Sequence, residues 1–157
     1  MGTLSTRDLE EYMKSKNIRG EIINLKPGEA KTSTAAARAV KCYVGEIAKN
    51  IVLIGSKGSK LMVIISGDKK IDLVKVSKRF SEKFRLATPD EVLLETGYTV
   101  GGVPPFGHLK PLKTIIDPSL RRYDHVYTSG GSEDTLMKIS VEELLKACDG
   151  EIIDVSI

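Results

Sequence analysis

The spacing of apolar residues predicts a chain that switches repeatedly between helices and strands. From Ser5 to Asn17, Leu9, Tyr12 and Met13 fall on one helical face, with Ser5 placed as a cap and Asp8 in the first turn. The alanine-rich stretch Thr32 to Val44 predicts a second helix, capped by Thr32 or Ser33, with Ala36, Val40 and Val44 inward. From Ile71 to Phe80, Leu73, Val76 and Phe80 share one face while Lys75, Lys78 and Arg79 take the other. Thr88-Pro89-Asp90-Glu91 combines a cap, a first-turn proline and a capping-box glutamate, and Gly97 is placed to end that helix. Ser140 to Glu143 repeats the signature ahead of Gly150.

Short runs of branched residues predict strands at Glu21–Leu25, Ile51–Ile54, Leu61–Ile65, Ile115–Ile116, His125–Tyr127, Leu136–Ile139 and Ile152–Val155. Gly55 to Lys60 suits a hairpin connection, which requires at least one antiparallel pair. Helices and strands interleave without strict βα alternation. The expectation is an α+β fold, with a mixed sheet and helices packed outside it. No repeat, low-complexity tract or linker interrupts the chain, so a single domain over 1–157 is expected.

Composition narrows the class. A chain of 157 residues buries roughly 68–70% of the surface its unfolded form exposes, enough for a core without staples. With 41% hydrophobic and 29% charged residues, it reads as globular rather than disordered. No apolar run reaches the roughly 20 residues of a membrane helix, and the polar start does not resemble a targeting leader. A cytoplasmic protein with no membrane partner is expected. Cys42 and Cys148 lie far apart with no metal-ligand spacing, and His108 and His125 are the only histidines, so no metal site or cofactor is expected. The cysteines read as small apolar residues and His125, within a strand, as a packing residue.

Net charge is only +3, but nine Lys/Arg face three Asp/Glu between Lys57 and Arg85. That stretch is either a phosphate-facing surface or a set of solvated helix and turn lysines. The motif for a nucleotide-binding phosphate loop is absent, as are a serine-nucleophile elbow and a zinc-protease helix.

The densest unusual composition is Gly97 to His108, with four glycines and two prolines. Such a segment makes a stiff, shaped loop. It is either a rigid connector or a cradle presenting the N–H groups of Gly101, Gly102 and Val103 to a carbonyl or anion. Tyr98, Val103 and Phe106 can equally be core, and His108 is the better functional histidine. Lys49, ahead of the strand Ile51–Ile54, is either solvated or a compact charge at a sheet rim that meets a phosphate or a ribose oxygen.

Four stretches, in order, resemble the YbaK and prolyl-tRNA synthetase editing-domain superfamily. They are Thr34–Ala37, Val44–Leu53, Gly101-Gly102-Val103-Pro104-Pro105-Phe106-Gly107-His108, and Tyr123–Gly131 followed by Ser140–Leu144. The Gly-Gly-Val-Pro-Pro-Phe-Gly-His segment is the specific part. The resemblance implies a mostly antiparallel sheet curled into a barrel-like core with surrounding helices. It implies a trans-acting deacylase that hydrolyses the ester of a mischarged aminoacyl-tRNA without metal or cofactor. Its partners would be the tRNA acceptor end and an aminoacyl-tRNA synthetase.

By the same resemblance, Lys49 engages the 3′-terminal nucleotide, and the backbone of Gly101 and Gly102 holds the aminoacyl carbonyl. Thr32, Asn50, Val103, Pro104, Pro105, His108, Gly130 and Gly131 are the implied substrate-binding positions. Many members carry threonine where this chain has Asn50, and those that hydrolyse Cys- or Ala-charged tRNA for proline often carry an acidic residue after the late Gly-Gly pair, in a Gly-Leu-Asp-like context; here the stretch is Gly130-Gly131-Ser132-Glu133-Asp134-Thr135-Leu136, so that acid is displaced or missing. Since no protein base stands out, the terminal ribose hydroxyl is a candidate to orient the attacking water. The competing readings are a non-catalytic tRNA- or synthetase-binding module and a small-molecule hydrolase of the same fold.

Overall fold

A computed structural model describes residues 3–157. The elements are α1 (Thr6–Lys16), β1 (Glu21–Asn24), α2 (Ser33–Val40), β2 (Ala48–Gly55), β3 (Lys60–Ser66), α3 (Leu73–Phe80), β4 (Phe84–Leu86), α4 (Pro89–Thr96), β5 (Lys113–Ile116), β6 (His125–Ser129), β7 (Thr135–Ser140), α5 (Val141–Cys148) and β8 (Glu151–Ile152). Short 3₁₀ turns occupy Val44–Glu46 and Pro118–Arg122.

The helix starts follow the predicted capping chemistry. The Ser5 hydroxyl accepts from the Asp8 N–H while the Asp8 carboxylate accepts from the Ser5 N–H, and Thr88 with Glu91 repeats this at α4. The second helix is shorter than predicted, because Lys41 adopts the left-handed conformation and closes it before Val44. Asp149 rather than Gly150 ends α5 in the same way. Strand β2 begins three residues before the predicted Ile51, which places Lys49 and Asn50 inside a strand.

The strands form two sheets. β1, β7 and β6 pair antiparallel in the order β1-β7-β6; β4-β2-β3-β5-β8 is mixed, with β3, β5 and β8 parallel. Antiparallel pairs predominate, as expected. The expected barrel-like closure is corrected: among the described residues neither sheet closes on itself. The sheets meet through one isolated parallel bridge, Ile47 to Tyr127. Beyond it they are joined by a side chain rather than a ladder, since the Asn50 amide donates to the Thr128 hydroxyl at 2.7 Å.

Strand β3 is buried on both faces, which explains its unbroken apolar run. Met62 and Ile64 pack into the core between the sheets, with α1, α5 and the Gly/Pro-rich loop. Leu61, Val63 and Ile65 pack into a second core under α3. His125 is exposed, contrary to the packing role expected for it, because the strand alternation turns Val126 inward instead. The two cysteines are partly buried, and burial raises their thiol pKa values to about 11 at Cys42 and about 12 at Cys148. No helix among the described residues is long and apolar enough to cross a membrane.

Candidate active site

The site grows out of an unfinished strand edge. β4 is only three residues long and pairs with Leu53–Gly55, so among the described residues no strand pairs with this edge of β2 between that ladder and the Ile47–Tyr127 bridge. The Val52 carbonyl accepts from the Ala87 N–H at 3.0 Å, which shows that the Val52 backbone faces away from β3. The alternation along a strand turns the Asn50 backbone the same way. A cleft of about 350 Å³ opens there, between β2, the start of α2, the Gly/Pro-rich loop and the ends of β6 and β7.

Lys49 and Asn50 both line this cleft, with their side chains on opposite faces of β2 as neighbours on a strand. The Lys49 ammonium donates to the Lys69 carbonyl at 2.7 Å. Burial pulls its pKa below the usual lysine value; nearby Asp68 opposes the shift and Lys70 adds to it. The Asn50 side-chain Nδ2 donates to the Val103 carbonyl at 2.9 Å and to the Thr128 hydroxyl, tying the loop to β2 and β6. The Asn50 side-chain Oδ1 is buried and has no hydrogen-bond partner.

The Gly/Pro-rich loop reaches the cleft through Val100, Gly101 and Val103. Gly101 has a φ of +93°, and a Cβ on it would stand 3.4 Å from the Glu133 Cγ. Its carbonyl accepts from the Ser129 hydroxyl at 3.1 Å. Gly102 is buried, and its N–H donates to the Thr99 carbonyl at 2.9 Å. A Cβ on Gly102 would stand 3.0 Å from the Ser132 Cα, so the glycine lets two backbones touch.

The rest of the loop turns inward. Tyr98, Val103 and Phe106 join the main core, and Pro104 and Pro105 are buried outside the cleft lining. The Pro104 carbonyl accepts from the His108 ring at 2.7 Å, so Nε2 carries the proton. Burial pulls the His108 pKa below 6.5, with that carbonyl opposing. His108 therefore pins its own loop rather than facing the cleft.

Gly130 and Gly131 also lie outside the cleft lining. The Gly130 carbonyl accepts from the Thr6 hydroxyl at 2.7 Å, and a Cβ on Gly131 would stand 2.9 Å from the Thr6 Cα. This pair seats the start of α1. Thr32 does line the cleft, where its hydroxyl caps α2 by accepting from the Ala35 N–H at 3.0 Å.

Thr128, Ser129 and Glu133 also line the cleft; Thr128 and Ser129 lie in the Tyr123–Gly131 stretch of the resemblance and Glu133 just after it, but the sequence assigned none of them a role. They reach the cleft through the approach of β6 to β2. The lining holds no histidine or cysteine, and Glu133 is its only carboxylate. Among the described residues, no group of three or more His, Cys, Asp or Glu is placed to hold a metal ion.

The basic stretch does not form one surface. Lys60, Lys75, Arg79 and Arg85 are paired with Glu95, Asp154, Glu151 and Glu91. Lys57, Lys78 and Lys83 flank a shallow groove at the β2–β3 hairpin tip. Lys69 and Lys70 sit at the opposite end of β3, beside Lys49.

Comparison with known proteins accounts for this architecture. The sequence profile of the aminoacyl-tRNA editing domain matches residues 27–147, and the chain belongs to that family. It is 26% identical over 123 residues to the multifunctional Ser/Thr-tRNA deacylase ProXp-y of Escherichia coli strain K12, covering 77% of this chain and 71% of that protein. It is 28% identical over 141 residues to the uncharacterised protein YwhH of Bacillus subtilis, covering 90% and 89%. A solved structure described as a candidate trans-editing enzyme for prolyl tRNA synthetase superposes with a TM-score of 0.89 at 32% identity, covering 97% and 96%.

Proposed function

We propose that this chain is a trans-acting aminoacyl-tRNA deacylase, one editing-type domain spanning residues 1–157, working in the cytoplasm on the acceptor end of mischarged tRNA. The observation that carries the reading is the convergence of Lys49, Asn50 and Gly101 on one cleft at an open strand edge, in a chain of the editing-domain family.

An aminoacyl ester is already activated, so positioned dipoles can do much of the catalysis. One donor aimed at a developing oxyanion is worth roughly 10²–10³ in rate. The Gly101 and Asn50 backbone N–H groups are the donors assigned to the ester carbonyl. The Gly102 N–H is spent inside the loop and shapes it instead. Lys49, with Lys69 and Lys70 beside it, takes the terminal phosphate as a compact charge. The Asn50 side-chain Oδ1 gains a partner when the substrate supplies a donor. With no histidine or cysteine in the lining, the attacking water is oriented by the terminal ribose hydroxyl.

Preformed Ala-, Cys-, Ser- and Pro-tRNA for proline, mixed with the wild-type chain and with Lys49→Ala, test the reading. Rapid loss of one mischarged species, abolished in the variant, is expected. Removing the terminal 2′-hydroxyl from the same substrate should suppress that turnover; an unchanged rate rejects the ribose as the orienting group. Silence across the panel with tRNA binding retained would select the alternative, a non-catalytic tRNA- or synthetase-binding module of the same fold.

A further inference from the structure

The cleft carries two kinds of charge at separate places. Lys31 and Lys49 are its cations, and Glu133 in the β6–β7 turn is its only carboxylate. Glu133 is exposed, and among the described residues it enters no ion pair. It lies over Gly101: the position of a Gly101 Cβ is 3.4 Å from the Glu133 Cγ and 3.9 Å from its Oε1.

This placement matches a constraint of the substrate. In an aminoacyl ester the α-ammonium group is bonded to the carbon next to the carbonyl. Whatever grips the ammonium must therefore stand beside whatever grips the carbonyl. Resting on the reading that Gly101 receives the carbonyl, we infer that Glu133 binds the α-ammonium of the aminoacyl group. It thereby separates tRNA carrying a free amino acid from tRNA carrying an N-acylated one. Acylation removes the positive charge and adds bulk at the atom Glu133 meets. The missing Gly101 side chain keeps that approach open, so the glycine serves the ammonium side of the site as well as the carbonyl side.

A stable amide analogue tests this independently of turnover. Binding of 3′-(L-alanylamino)-3′-deoxyadenosine and of its N-acetyl form is measured for the wild-type chain, Glu133→Gln and Glu133→Asp. A charge-assisted contact of roughly 1.5–3 kcal/mol corresponds to about tenfold or more in affinity. Wild type should prefer the free amine by at least that factor, and Glu133→Gln should lose the preference by weakening the free-amine form alone. Glu133→Asp should restore part of it. The inference is overturned if Glu133→Gln keeps the wild-type preference, weakens both forms equally, or if wild type binds neither. A silent deacylation panel with the Glu133-dependent preference intact would instead remove the catalytic reading and leave the ammonium site standing.

Discussion

Gly101-Gly102 and Gly130-Gly131 look alike as sequence and do different work. Gly101 and Gly131 share a φ of +93°. At Gly101 the space a side chain would fill faces the flexible Glu133 chain at ordinary contact distance. At Gly131 the same space is closed by the Thr6 backbone at 2.9 Å. One glycine opens a cleft; the other lets α1 settle on the β6–β7 turn. A glycine pair therefore announces a close approach without saying whether a ligand or the chain's own backbone makes it.

The largest effect that separates the two sites is expected on stability. Gly131→Ala adds strain of about 1–3 kcal/mol for a non-glycine residue at positive φ to a backbone clash. It should lower the melting temperature by roughly 5–10 °C, with deacylation per folded molecule retained. Gly101→Ala carries the strain without the clash, so its melting temperature should fall by less than half as much while its activity drops at least tenfold. Equal melting shifts for the two variants would erase the contrast.

Asn50→Ala is the next sharpest test, because it cuts the loop's tie to β2 and β6. Losing two hydrogen bonds should cost about 1–2 kcal/mol, read by urea unfolding, and should reduce turnover well beyond the stability loss. A smaller effect concerns the divided lysines. Lys69→Ala with Lys70→Ala should weaken tRNA binding and flatten its salt dependence, whereas Lys57→Ala with Lys78→Ala should leave both nearly unchanged. The reverse pattern would place the acceptor stem at the hairpin tip.

The smallest effect is a pH dependence of stability carried by His108. Its folded pKa lies below its unfolded value of 6.5, so the folded state disfavours the proton. The stability it contributes is complete above pH 6.5 and is lost as pH falls through the folded pKa. Unfolding from pH 7.5 to 5 should therefore become easier, and less so in His108→Gln. An equal slope in both would show that this ring does not titrate against the loop.

What could be read in advance follows the range of the interactions. Helix starts were legible because Ser5 with Asp8, and Thr88 with Glu91, are caps made within four residues. The two-faced burial of β3 was visible in its apolar run. β4 was not, because three residues beside a charged turn carry no period. Lys49 and Gly101 were marked by a resemblance, yet their meeting depends on Asn50 reaching Val103 and Thr128, contacts between residues far apart in the chain. Pro104, Pro105 and His108 drew notice through composition, and the fold uses them to stiffen the loop. Glu133 stood in the sequence only as part of a departure from the family pattern after Gly130-Gly131, and its place over Gly101 depends on the approach of β6 to β2.

The open edge of β2 also bears on how the chain must fold. An unpaired strand with free backbone donors and acceptors is a template for any other extended chain. Its protection comes from the Gly/Pro-rich loop docked through Asn50 and from the start of α2, both distant in sequence. Until those segments arrive, a half-folded molecule presents the β2 edge around Asn50, between the Ile47–Tyr127 bridge and the Val52–Ala87 bond, as a docking rail for its neighbours. Self-association during refolding at high protein concentration should therefore begin at this strand and cease once the Gly/Pro-rich loop docks through Asn50.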